Sequence, residues 1–203
     1  MGPEVILILI GWAIAGGSPG PATLAISGAA MSQGRSAGLS IASGVLVGSA
    51  CWGIASALGM SALMMANAWI FDVVRYAGAA YLLYLAIKSL RNAMNPKPLP
   101  KSDVPRSKLF VKGLLLHLTN PKAVFSWGAI YAIALHSDAS IAQVWTLFGL
   151  LFAVSMMLFW GYGLLFSAAP IARIYVRMRR WFDAAFGLLF GAASLKLLTT
   201  RLT

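Results

Sequence analysis

The chain has 203 residues, of which 60% are of hydrophobic type and only 10% are charged, whereas a soluble domain carries nearer a quarter of charged residues because its surface must be wetted. That balance excludes an ordinary water-soluble domain and points to an all-α protein lying in a lipid bilayer. The formal charge of +11 would suggest a nucleic-acid partner on a soluble protein, but on a membrane protein it carries orientation, so no nucleic acid is expected.

The first predicted element is a helix over residues 5–31. Its apolar start followed by small residues at 13–17 has some look of a secretory signal, but Glu4 is the only charge before Arg35, so the basic n-region is missing and a retained span is expected. Ser18-Pro19-Gly20-Pro21 falls about halfway along this run, where proline removes a backbone donor and interrupts the helical ladder.

A second helix is predicted over 39–66, with Gly44 and Gly48 spaced for close helix packing or for a homodimer contact. Its Cys51 is the only cysteine, which rules out an intrachain disulfide; with His117 and His136 the only histidines, neither a soft-metal site nor a cofactor is expected. A third helix over 69–90 is weaker, since its charge-free part, 76–87, is only twelve residues long against the ~20 that a span needs. Asp72 and Arg75, three apart, are expected to pair.

Residues 95–107 then place Pro96, Pro98, Pro100 and Pro105 among basic residues, the pattern of a stiff extended linker. The expected division is therefore a first membrane repeat at 1–93, a basic linker at 94–108 and a second repeat at 109–203.

The fourth helix, 109–135, carries a second interruption at Thr119-Asn120-Pro121-Lys122, again near its middle. The fifth is predicted over 141–172 and the sixth over 181–198, the last with a charge-free stretch of twelve residues at 184–195 and a glycine pair, Gly187 and Gly191. A five-span or partly interfacial arrangement stays open beside the six-span one.

Lysine and arginine are retained in short cytoplasmic loops. They fall at Arg35, across 88–112 and at 173–180, while the connections near 65–71 and 134–140 have none. This alternation places both termini outside and the central loop inside. The two halves also resemble each other: Phe71-Asp72 and Phe182-Asp183 open the short segments, and Gly78-Ala79-Ala80-Tyr81-Leu82 matches Gly191-Ala192-Ala193-Ser194-Leu195 at four of five places. Three helices per half turn the second copy over, which gives an inverted repeat; chance similarity among Gly, Ala and Leu is the alternative.

Matching breaks in both halves suggest where chemistry occurs. Lipid cannot satisfy freed carbonyls, so such breaks must face protein or a water-filled cavity. Ser18 and Asn120, each followed by proline, are expected N-caps of new half-helices whose N–H groups suit a carboxylate. Lys122 near the bilayer centre costs at least ~3 kcal/mol unless paired or hydrated. No Asp or Glu is expected at that depth, so the substrate's own carboxylate is a candidate counter-ion. Kinking for packing, and snorkelling of Lys122 to an interface, are the plainer alternatives. Trp127 is a candidate cavity wall, though aromatic residues also serve ordinary packing.

Pro19-Gly20-Pro21 followed by Gly34-Arg35 and Gly38, the stretch from Gly78 to Leu85 ahead of Lys88, and Gly113 ahead of Leu118-Thr119-Asn120-Pro121-Lys122-Ala123 together resemble the LysE/RhtB family of bacterial amino-acid exporters. The resemblance spans nearly the whole chain and implies an inner-membrane carrier, not an enzyme, that expels a small amino acid or related metabolite using the membrane gradient, with a proton as coupling ion. Relatives often have Asn where this chain has Ala22, Asp where it has Ser49, and a Pro-Gln-Phe run that residues 130–135 lack. Without the acidic position a neutral amino acid is favoured over lysine or arginine. The expected substrate-binding set is Ser18, Pro19, Gly20, Pro21, Ala22, Ser49, Asn120, Pro121, Lys122 and Trp127. A passive channel lined by the same half-helices is the alternative function, followed by an intramembrane enzyme and a purely structural subunit.

Overall fold

A computed structural model of the chain describes residues 3–66, 68–95, 104–135 and 139–199. Most of the expected proline-rich linker, together with His136 and Asp138, lies outside these residues, and so do the side chains of Asp72 and Arg75. Among the described residues the protein is all-helical: α1 Pro3–Gly17, α2 Pro21–Gln33, α3 Arg35–Ala66, α4 Ala68–Met94, a short 3-10 turn Arg106–Lys108, α5 Leu109–Leu118, α6 Pro121–Ala134, α7 Ile141–Leu165 and α8 Ala169–Thr199.

The first and fourth predicted elements are thus each two helices, divided where proline stands. Helices α1 and α2 meet at a bend of 60° and are together long and apolar enough for one broken span or a re-entrant loop; the Arg35–Gly59 part of α3 and the whole of α7 are long and apolar enough to span alone. Helices α4 and α8, at 27 and 31 residues, measure about 40 and 46 Å at 1.5 Å per residue and so exceed the hydrocarbon thickness of ~30 Å, but they carry more charge. Leu7, Met157 and Leu188 are among the many large apolar side chains left exposed, the surface that lipid, not water, would cover.

Two sequence expectations need correction. The fifth helix ends at Leu165, not at 172, and the sixth begins at Ala169, not at 181. Pro170 explains both: it cannot continue α7, yet it is tolerated in the first turn of α8, where its missing N–H has no helical partner to lose. Arg173, Arg177, Arg179 and Arg180 therefore belong to a helix rather than a loop. Asp183 is fully buried fourteen residues inside α8, with Arg179 Nε 3.8 Å away, instead of lying near a helix end.

Helix directions follow from close contacts. Helices α3 and α5 run parallel, because Gly44 lies against Phe110 and Gly48 against His117. An ideal Cβ on Gly44 would sit 2.0 Å from the Phe110 carbonyl oxygen, so glycine is what lets these backbones touch. Helices α3 and α7 run antiparallel, with Gly38 against Gly163 and Gly53 against Phe148. Helices α4 and α8 also pack antiparallel, Gly187 against Leu90 and Ser194 Oγ donating to the Ala79 carbonyl at 2.8 Å. Helix α1 runs parallel to α7, with Trp12 against Leu151 and Gly16 against Leu158. The glycines at 44, 48 and 187 are thus engaged inside the chain.

The basic connections gather at one end of the bundle. Gly34, at φ 87° in the left-handed region, turns the chain from α2 into α3. Beside it, Gln33 Nε2 donates to the Val104 carbonyl at 3.0 Å and Arg106 donates back to the Gln33 carbonyl at 3.0 Å. Phe166 and Tyr175, flanking the α7–α8 turn, pack on Ala30 of α2.

Candidate functional site

The two breaks meet. Lys122, in the first turn of α6, reaches back to the end of α1, where its ammonium donates to the Ser18 carbonyl at 3.2 Å and also to Ser18 Oγ. The Ser18 hydroxyl passes its own proton to the Ala15 carbonyl at 2.8 Å, which leaves its lone pairs to accept from lysine. Carbonyls at a helix C-terminus carry partial negative charge, so a cation is well placed there. Phe190 of α8 presents its ring 5.9 Å from the same ammonium. No ion pair to Lys122 occurs among the described residues, so its partners are dipoles and not a carboxylate.

The two half-helix N-termini differ. Asn120 caps α6 as expected: its side chain accepts from the Lys122 N–H at 3.1 Å, while its carbonyl accepts from the Ala123 N–H at 2.9 Å. That terminus is closed. For α2 the N-cap is Gly20, not Ser18, and glycine has no side chain with which to cap. Thr23 instead accepts from the Gly20 N–H at 2.9 Å and donates to the Ser18 carbonyl at 3.2 Å. Pro21, which has no N–H, fills the first position of α2, and no side-chain hydrogen bond caps this end. The open, anion-receptive end is therefore that of α2, and Lys122 lies beside it: an ideal Cβ on Gly20 would be only 3.3 Å from Nζ.

A cavity of about 40 Å³ opens onto these groups. Of the residues expected from sequence, Gly20, Ala22, Ser49, Asn120, Lys122 and Trp127 line it, and buried Ser18 sits behind them as the lysine's anchor. Pro19, Pro21 and Pro121 do not line it; the last two are exposed, so the prolines create the breaks without entering the cavity. Trp127 donates from Nε1 to Ser49 Oγ at 3.1 Å and packs its ring 4.5 Å from that of Trp12, which makes these three one wall.

Sequence reasoning missed Trp12, Thr23, His117, Ser126, Ser155 and Phe159, which also line the cavity. Trp12 is held by Nε1 bonds to the Leu151 carbonyl and Ser155 Oγ, each 2.9 Å. His117 occupies the last turn of α5, at the mid-segment break, where it is buried with Nδ1 unbonded among the described residues. Its position three residues ahead of Asn120, one helical turn back, was the signal available.

Residues 14–201 match the model of the LysE type translocator family. The threonine efflux protein of Escherichia coli (strain K12) is 27% identical over 91% of this chain and 92% of its own length, and that of Salmonella typhi is 27% identical over the same shares. An uncharacterized membrane protein of Pseudomonas aeruginosa is 36% identical over 52% of each chain. No solved structure matches.

Proposed function

The chain belongs to the LysE type translocator family, and from that premise we propose that it is a secondary transporter exporting a neutral amino acid or related metabolite across the bacterial cytoplasmic membrane. One observation carries the reading: the Lys122 ammonium and the open N-terminus of α2 converge on a single cavity where two broken segments cross. A carboxylate entering there would meet a cation and a helix N-terminus without a side-chain cap, while the walls bring no acid to receive a cationic side chain. The relatives named for threonine efflux are consistent with such a substrate.

Six crossings in two inverted repeats, 1–93 and 109–203 about a linker at 94–108, accommodate the helix directions. If α1–α2 and α5–α6 each count as one crossing, the segments run alternately up and down, and every observed pairing obeys that order. Each equivalent pair, α3 with α7 and α4 with α8, packs antiparallel, as an in-plane two-fold axis requires. The clustered basic end faces the cytoplasm, the termini lie outside, and the proton gradient drives export. Rocking of one repeat against the other opens the cavity alternately to each side; at about 40 Å³ it is a constriction in this conformation, not the open lumen of a passive channel.

The test is efflux from cells overexpressing the protein, preloaded with a panel of amino acids, with and without a protonophore, beside Lys122→Gln. Protonophore-sensitive export that Lys122→Gln abolishes supports the reading. Gradient-independent flux would replace it with a channel, and normal export by Lys122→Gln would remove the lysine from the site.

A further inference from the structure

The 40 Å³ cavity holds about three or four waters at ~10–15 Å³ each, room for a carboxylate but not for the rest of an amino acid. Next to it lies a second cavity of about 240 Å³ among α1, α4, α6 and α8, sharing Trp12, Ala15 and Ser126 with the first. Its remaining walls are apolar, among them Ile14, Leu82, Ile130 and Phe190. Phe190 connects the two, since its ring also faces the Lys122 ammonium. The space runs along α6 from Ser126 to Ile133 and along α1 from Ala15 back to Gly11, and it is open on one side, where Gly11, Ile133 and Leu189 are exposed.

Resting on the reading above, we propose that this second cavity is the side-chain subsite, and that the preferred substrate is an amino acid with a large apolar side chain, of the leucine, methionine or phenylalanine class. At about 240 Å³ this apolar cleft has room for any of these groups. The polar atoms on its wall are few: the Trp12 N–H is already bonded twice, which leaves the Ser126 hydroxyl for a polar side chain. A hydroxylated or charged side chain would lose its hydration there with little in return. Each methylene placed in such a pocket changes selectivity by roughly tenfold or more.

Gly11 offers the cleanest probe. It lines the open side of the cavity, and an ideal Cβ on it has no neighbour within 4 Å, so the first carbon of a larger side chain enters free space and Gly11→Leu adds bulk there. Counterflow in proteoliposomes is measured for leucine, methionine and phenylalanine against alanine, serine and threonine. The expected result is at least a tenfold preference for the large apolar set by the native chain, reversed in Gly11→Leu, which retains the small substrates. Export of threonine or serine with no preference for the apolar set overturns the inference while leaving the exporter reading intact, and so does an unchanged profile in Gly11→Leu. Failure to move any amino acid overturns both.

Discussion

Lys122 Nζ donates to the carbonyl of Ser18 at 3.2 Å, joining the second break of the chain to the first across 104 residues of sequence. The carbonyl is freed because α1 ends there; the ammonium is free because no acid accompanies it among the described residues. Each solves the other's desolvation problem. Lys122→Met should therefore lower stability as well as transport, by about 1 kcal/mol for the hydrogen bonds lost, since the Ser18 carbonyl keeps the Thr23 hydroxyl as a donor. Thermal unfolding in detergent checks this, and an unchanged Tm would show that water can replace the lysine.

Gly20 separates stability from function. Its φ of −163° is extended backbone open to any residue, so the reason for glycine is room for the ammonium and an uncapped helix end. Serine is as good an N-cap as glycine or better, and its hydroxyl would cover the helix end proposed to receive the substrate carboxylate. Gly20→Ser is expected to keep or raise Tm while reducing efflux about tenfold, the loss of one charge-assisted contact of about 1.4 kcal/mol. Undiminished efflux would place the carboxylate elsewhere.

Asn120 has the opposite role, since its side chain closes the terminus of α6 rather than leaving it open. Asn120→Ala should destabilise the protein by about 1 kcal/mol, and Asn120→Asp should restore most of it. Denaturant titration of the two variants against the parent decides the matter.

Gly44→Val should prevent folding, because even the first side-chain carbon would overlap the Phe110 carbonyl of α5 and force α3 and α5 apart. Size-exclusion chromatography of the solubilised protein should show aggregate in place of a monodisperse peak. Gly59→Val on the same helix, where an ideal Cβ meets nothing within 4 Å, should elute like the parent.

In α8, removing Arg179 leaves the Asp183 carboxylate buried without its nearest cation. Arg179→Met should cost about 3 kcal/mol, and the double variant Arg179→Met/Asp183→Leu should recover part of that, because an apolar pair replaces a buried ion pair more cheaply than a lone charge does. Unfolding of both variants in detergent gives the comparison.

The sequence by itself determined that the protein lies in a membrane, that its first and fourth segments break at Pro19–Pro21 and Pro121, and that Asn120 caps a helix. Each of these follows from local rules: uncharged length, the missing N–H of proline, and the reach of a side chain to its own backbone. It also placed Gly20 and Lys122 in one candidate site through the matching breaks, while Ser49 entered that site through the family resemblance and Trp127 as a candidate wall. Only the tertiary structure decided that Lys122 binds Ser18, that the open terminus belongs to α2, and that His117 and Trp12 wall the cavity. It moved Asp183 from a helix end to a buried position and revealed the apolar chamber beside the lysine. These depend on which face of one helix meets another over separations of a hundred residues, and in a chain that is apolar on nearly every face the hydrophobic pattern does not say which face is inside.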